Sequence, residues 1–366
     1  MGSGQMLKLG PLTLRMFLFV CTLSVSVAIV VLRRKIELYF SVLVLIYSAT
    51  LLVPTFMAVI NGFPAGGIIE DLKPLIFFYN IIFFSLMIKD EKNILQINGI
   101  LKRSAIILAM GYLFVIFGIY TGILDFNYIY ALLDSTTEVF FRGTAGFFYK
   151  GFLYLCIGVF FFLDKFSKRN ALSIALILIA IVLTFTRGFL VSLALVLTIY
   201  LLLFYRNKIL SLIILGVSAI VGYLYLGYYT DTIGDKSDSD SIRYIQYHEV
   251  KNEADPFSFF IGHGFGKGTY SRPGHLEIAY LEIFHKQGIV GLAFWLILLI
   301  CIFYSYHKAK LNGNKKMALP YLLSCIFVYL QSFTNPFINN PIGMSVIIIS
   351  VVVLKRLETL KPTIAI

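Results

Sequence analysis

Four arginines stand in aromatic and glycine-rich sequence: Arg142 in FFRGTAGFF, Arg187 in LTFTRGFLVS, Arg243 in SIRYIQYHEV and Arg272 in SRPGHLEIAY. A guanidinium stays charged at any physiological pH, and its planar fork fits two oxygens of a carboxylate or phosphate at once. It also tolerates partial desolvation better than an ammonium, which suits a dispersed anion such as a diphosphate. Beside Arg272 stand two residues able to accept a proton, His275 and Glu277. The combination points to an anionic ligand, a lipid-linked diphosphate being the natural one. Other chemistries fit less well. His248, His263, His275 and His285 follow no HxxxH or carboxylate-rich pattern, so no metal centre is expected. IGHGFGKG contains GxGxG, yet it follows no sheet strand and opens no Rossmann helix. It reads as a flexible loop, or as a turn offering N–H groups to an anion.

The elements that hold these residues are hydrophobic. Of 366 residues, 59% are hydrophobic and 14% charged, where a soluble globule carries about a quarter charged. Apolar runs of about 20 residues recur, which makes the fold all-α and the chain a polytopic integral membrane protein. Eleven candidate spans (a range of 10–12) fall near 12–32, 36–60, 72–88, 104–122, 147–163, 170–186, 188–205, 209–228, 280–306, 318–334 and 342–355. The net charge of +12 comes from cations scattered between these runs, not from one patch, so nucleic acid is not an expected partner. Assigning alternate connections to opposite sides gathers well over half of the 31 lysines and arginines on one side, in short loops. That side is expected to be cytoplasmic, with the C-terminus inside and the N-terminus outside. Cys21, Cys156, Cys301 and Cys325 lie within apolar runs and read as packing residues. MGSGQ, residues 1–5, looks like a cloning scar, and residues 6–366 read as a single transmembrane domain.

Two connections on the external side carry most of its polar material: 123–146 around Arg142, and a large one, 229–279. The larger opens with DTIGDKSDSDSIRY, a loop or helix cap in this reading. Beyond Pro273 and Gly274 a helix of about 276–306 is expected, longer than the hydrocarbon core, with its first turns above the outer interface. Glu277 would fall in its first turn, where the helix dipole favours a carboxylate, and His275 in the preceding cap. Arg187 falls at a turn between two spans on the same side, where lipid headgroups could also hold it.

Three segments, in order, carry a resemblance: FRGTAGFFYKGFL (141–153), TFTRGFLVSLAL (184–195), and the run from SIRYIQYHEV through IGHGFGKG to HLEIAYLEIFHKQGIVGL (241–292). Their arrangement resembles the O-antigen polymerase and ligase superfamily, the Wzy-type polysaccharide polymerases and O-antigen ligases of bacteria. The resemblance covers about residues 140–295. It implies a GT-C-like glycosyltransferase in the bacterial cytoplasmic (inner) membrane, with its active site facing the periplasm or exterior. The implied reaction is inverting glycosyl transfer without metal or other cofactor. The donor is an undecaprenyl-diphosphate-linked oligosaccharide destined for lipopolysaccharide or capsule, and its tail lies among membrane lipid. Arg142, Arg187 and Arg243 match the family's arginine positions and would contact the diphosphate, with Arg272 beside them. Ligases of the family place a histidine about eleven residues before the first glycine of a closing GxxG. Counting back from Gly288 reaches Glu277, with His275 two residues earlier. Glu277 is therefore the first candidate base and His275 the second. The family also admits a chain-length regulator as partner. A polymerase is the leading expectation, a ligase the alternative, and a flippase of lipid-linked sugars a third.

Overall fold

The computed structural model describes residues 8–9, 12–33, 36–134, 138–142, 146–163, 167–205, 207–233 and 237–361. The segment read as a cloning scar lies outside them, as do the loop cations Arg34, Lys35, Lys165 and Arg206. The chain is mostly helical and divides into two compact units, one of Arg15–Leu95 with Ser237–Ile366, the other of Met1–Leu14 with Gln96–Lys236. Among the described residues, five helices are long and apolar enough to cross a membrane: Leu14–Leu32, Leu38–Ile60, Glu91–Tyr120, Arg187–Phe204 and Ala279–Leu311. The protein is a polytopic membrane protein, as its composition requires. The remaining apolar runs form shorter helices, except the run near 209–228, which lies in the 26-residue helix Lys208–Ile233. The run near 72–88 is broken into Ala65–Leu75, a 3-10 turn at Ile76–Tyr79, and Asn80–Met87. Pro74 lies at that break and cannot donate a helical hydrogen bond. Outward-facing side chains such as Leu45 and Leu52 in one unit, and Phe114 and Phe117 in the other, are exposed. A hydrocarbon solvent explains them without a protein partner.

In the first unit the long helix Ala279–Leu311 packs against Leu38–Ile60, Lys315–Gln331 and Pro341–Leu357. Pro341–Leu357 is buried almost all round because its sequence, PIGMSVIIISVVVL, has no polar face. The Asn340 side chain caps it by accepting from the Ile342 N–H, with Pro341 in the first turn where its missing N–H costs nothing. Aromatic rings fill the centre. Tyr47 stacks on Phe78 at 4.1 Å and meets Phe294 at 5.1 Å, and Trp295 closes the cluster edge-on. Trp295, the chain's one tryptophan, is only 2% exposed.

In the second unit the expectation of an all-α chain needs a small correction. Val139–Phe141 pairs antiparallel with Phe147–Tyr149 in a short hairpin, and Lys8–Leu9 pairs with Leu12–Thr13. The run expected as a plain loop at 123–146 thus contains a helix, Phe126–Asp134, and the first strand of a hairpin. FF on one strand faces FF on the other, Phe140 opposite Phe148 and Phe141 opposite Phe147, which is the cross-strand aromatic pairing that stabilises short ladders. Leu153–Phe162 follows as a buried helix.

Candidate functional site

The polar side chains of the first unit gather around the start of the long helix. That helix begins at Ala279, so Glu277 lies in the segment before it and not in its first turn. The difference changes what Glu277 can do. Its carboxylate is held by two arginines: Arg243 Nε donates to Oε2 at 3.1 Å and Arg272 donates to Oε1 at 2.7 Å. Arg243 also reaches Asp240 at 3.1 Å. The run from 237 to 253, read as loop or cap at its start, is one helix, Ser237–Glu253. Its Arg243, Gln246 and Glu249 recur every three residues and so share a face. The side-chain oxygen of Gln246 accepts from the Glu277 N–H at 3.1 Å. Glu249 accepts from the Ser271 N–H and hydroxyl, the latter at 2.6 Å. The Ser271 hydrogen bonds hold the Glu249 carboxyl below its usual range. Three points along one helix therefore fix the segment that carries Arg272, His275 and Glu277.

His275 faces a different set of groups. Its Nδ1 lies 2.8 Å from Glu282 Oε1 and 3.4 Å from Asp71 Oδ1. Lys286 joins the same two carboxylates, 2.7 Å from Asp71 and 2.8 Å from Glu282, and donates to the Gly274 carbonyl at 3.1 Å. Asp71 accepts from the Gly266 N–H at 2.6 Å, and Glu282 from the Asn339 amide at 2.8 Å. The side chains of Lys286, Asp71 and Glu282 are 3%, 6% and 6% exposed. Two buried carboxylates against one ammonium leave a negative charge that a proton on His275 would neutralise. The hydrogen bond to Glu282 accordingly raises the His275 pKa above its ordinary 6.5, with burial opposing it. The ring is 52% exposed, so its other nitrogen is open to a ligand.

The glycine string is a packed joint instead of a flexible loop. Asp255 caps the short helix Pro256–Ile261 with a full capping box to Ser258. The chain then turns through glycines and runs against two helices. The His263 and Gly264 N–H groups donate to the His285 and Lys286 carbonyls, at 2.9 and 3.1 Å. Those carbonyls are free because the long helix breaks at Gly288, whose φ of 64° and ψ of −163° only glycine adopts readily. A Cβ at Gly288 would sit 2.4 Å from the Phe260 carbonyl, and one at Gly264 would sit 2.6 Å from the Ala58 nitrogen. A backbone turn offering its N–H groups to an external anion is thus not what this sequence builds: these groups are spent on carbonyls and on Asp71.

Arg142 and Arg187 belong to the second unit. Arg187 is the first residue of the helix Arg187–Ile199, after a turn in which Phe185 takes a positive φ of 49°. The Tyr112 hydroxyl anchors that turn, donating to the Leu183 carbonyl at 2.6 Å. The turn between two helices that the sequence indicates is therefore present. A guanidinium at a helix N-terminus adds its charge to the positive end of the dipole, a combination suited to an anion. Arg142 follows directly on the first strand of the aromatic hairpin, its N–H donating to the Gly146 carbonyl at 2.8 Å.

Asp71, Glu282, Lys286 and Asn339 were not among the candidate residues. Glu282 and Lys286 are four apart on a helix, a spacing that does signal an ion pair. Asp71 and Asn339 gave no local sign.

Residues 172–296, which include Arg187, Arg243, Arg272, His275, Glu277, Glu282 and Lys286 but not Asp71 or Asn339, match the family described as O-Antigen ligase (Wzy_C). The O-antigen polymerase of Shigella flexneri is 30% identical over 367 aligned positions, covering 96% of this chain and 90% of that protein. A likeness spanning both proteins nearly end to end extends the resemblance seen in the motifs to the hydrophobic N-terminal third. The chain therefore belongs to the Wzy-type O-antigen polymerase and ligase family, with a polysaccharide polymerase or ligase type of function.

Proposed function

We propose that this protein is a polysaccharide polymerase of the bacterial inner membrane, joining undecaprenyl-diphosphate-linked oligosaccharide repeat units at the outer face. The observation that carries the reading is the pairing of two groups within one unit. Arg243 and Arg272 are held on Glu277, and His275 is held on Glu282, 2.8 Å away. A hydroxyl of one repeat unit attacks the anomeric carbon of the chain on the other, from the face opposite the diphosphate. The bond from that carbon to the diphosphate oxygen breaks, and the lipid diphosphate leaves with the bonding electrons. The hydroxyl proton passes to His275. Glu282 accepts from Nδ1–H and so leaves the Nε2 lone pair to take that proton. Both oxygens of Glu277 are taken up by guanidinium groups, which makes it the organiser of the arginines. The preference between the two candidate bases thus reverses in favour of His275. Arginines fixed before substrate arrives stabilise the leaving diphosphate without reorganisation, worth about 10²–10³-fold in rate per contact. Arg142 and Arg187 take the same diphosphate-binding role by their match to the family's arginines.

The test is direct. The full-length protein in nanodiscs is incubated with an undecaprenyl-diphosphate-linked repeat unit and no nucleotide, and products are resolved by length. A ladder of increasing length on the lipid supports the polymerase. The family description favours one other reading, a ligase, which would give a single transfer to a separate lipid or protein acceptor and no ladder. Movement of the lipid-linked sugar with no new glycosidic bond would overturn both.

A further inference from the structure

A second cluster of titratable groups lies at the joint between the capping-box helix, the glycine turn and the long helix. The ligating atoms of Glu253, His263 and His285 all lie within 4.8 Å of one another. His285 is 2% exposed, and neither of its ring nitrogens makes a well-aligned hydrogen bond, although the Gly268 backbone lies beside the ring. Its ring faces that of His263 with centroids 4.8 Å apart, and the His263 N–H donates to the His285 carbonyl, so backbone and rings fix each other. A buried polar side chain left without partners is costly, and native proteins seldom carry one without a reason. Two imidazoles and one carboxylate are also a set that first-row transition metals bind, with a fourth position left for water.

We propose that Glu253, His263 and His285 form a binding site for a divalent transition-metal ion, with Zn²⁺ the best match to the donors. Bonds of about 2.0–2.1 Å at tetrahedral angles put donor atoms about 3.3–3.4 Å apart, so the three side chains must draw together by up to about 1.5 Å to close on the ion. Lys267 is the rival cation, its Nζ 3.2 Å from Glu253 Oε2. Metal binding displaces it or moves it to the outer oxygen. The other triad of this kind, Asp71, His275 and Glu282, differs in that the Lys286 ammonium already sits between its carboxylates. An ion on Glu253, His263 and His285 would pin the end of one helix, a loop and the start of another, and so hold the joint whose carbonyls the glycine turn uses. This site is separate from the arginine and His275 assignments and stands or falls without them.

The test uses full-length protein in detergent, stripped with a chelator, desalted, and titrated with Zn²⁺ or with Co²⁺ as a spectroscopic stand-in. One Zn²⁺ retained per chain by elemental analysis, an intense tetrahedral Co²⁺ d–d absorption and a raised melting temperature are expected. His263→Gln and Glu253→Gln should each weaken binding beyond the 10–100-fold typical of losing an outer-shell partner, about the least a true ligand would show. Both residues are partly exposed, so these variants keep the test valid even if a His285 variant fails to fold. Lys267→Met should tighten binding by removing the competing ammonium. Failure to retain stoichiometric metal, or retention unchanged in His263→Gln, would overturn the proposal.

Discussion

His275 and Glu277 are two residues apart and have opposite surroundings, one on acids and one on bases. That difference makes their variants distinguishable. Because Glu282 raises the His275 pKa above 6.5, the ring is protonated more readily in the folded protein. Its contribution to stability is complete below about 6.5 and is lost as pH rises through the raised value. Catalysis runs the other way, since a base works only when unprotonated. Turnover should therefore climb with pH through a value above 6.5, and His275→Ala should remove that limb along with most of the product. Glu282→Gln should move the limb to lower pH. Glu277→Gln should leave the limb in place and weaken substrate binding, because it releases the arginines without touching the base. Arg187→Ala and Arg243→Ala should each lower polymer by about 10²–10³-fold with protein abundance in the membrane unchanged, measured by product ladder and immunoblot. Normal ladders from both would remove the diphosphate role.

At the level of elements, the break at Gly288 is the feature on which the joint depends. Gly288→Ala should destabilise the protein by about 1–3 kcal/mol from backbone strain alone, before the clash with the Phe260 carbonyl adds to it. Thermal melting in detergent would read this as a clear drop. Lys286→Met leaves two buried carboxylates facing each other and should cost about 3–5 kcal/mol, with Asp71→Asn recovering part of the loss in the double variant. These elements were unevenly legible. Long apolar runs announced their helices because nothing but a helix satisfies the backbone in hydrocarbon. The glycines and Pro273 marked where the chain must turn, but not that the turn would be packed against Ala58 and Lys286. Ser237–Glu253 was obscured because SDSDS favours caps and turns, and its helical face shows only as the spaced Arg243, Gln246 and Glu249. Asp71 and Lys286 are 215 residues apart in sequence, beyond any periodicity. The turn at Arg187 is legible because a charge interrupting two apolar runs has one economical location, between them.

For the molecule as a whole, the sorting of cations gives an orientation that labelling can test. A cysteine introduced at Ser271 should react with an impermeant maleimide in intact cells, whereas one at Lys361 should react only after the membrane is opened. The native cysteines lie in apolar helices, with Cys156 and Cys325 buried, so background labelling should be low. Reversed accessibility would move the polar site to the cytoplasm and defeat the proposed reaction at the outer face.

Trp295 gives the protein an internal reporter. Because the chain has one indole and it sits 2% exposed among Tyr47, Phe78 and Phe294, its fluorescence describes the packing of a single unit. Emission should be blue-shifted in the folded state and move to the red as that aromatic cluster opens. Unfolding of Arg15–Leu95 with Ser237–Ile366 can then be followed optically without labels or engineered probes, provided excitation at the red edge of the indole band leaves the tyrosines of the other unit silent. A chain that loosens one unit before the other would betray the order by the mismatch between fluorescence and total helicity.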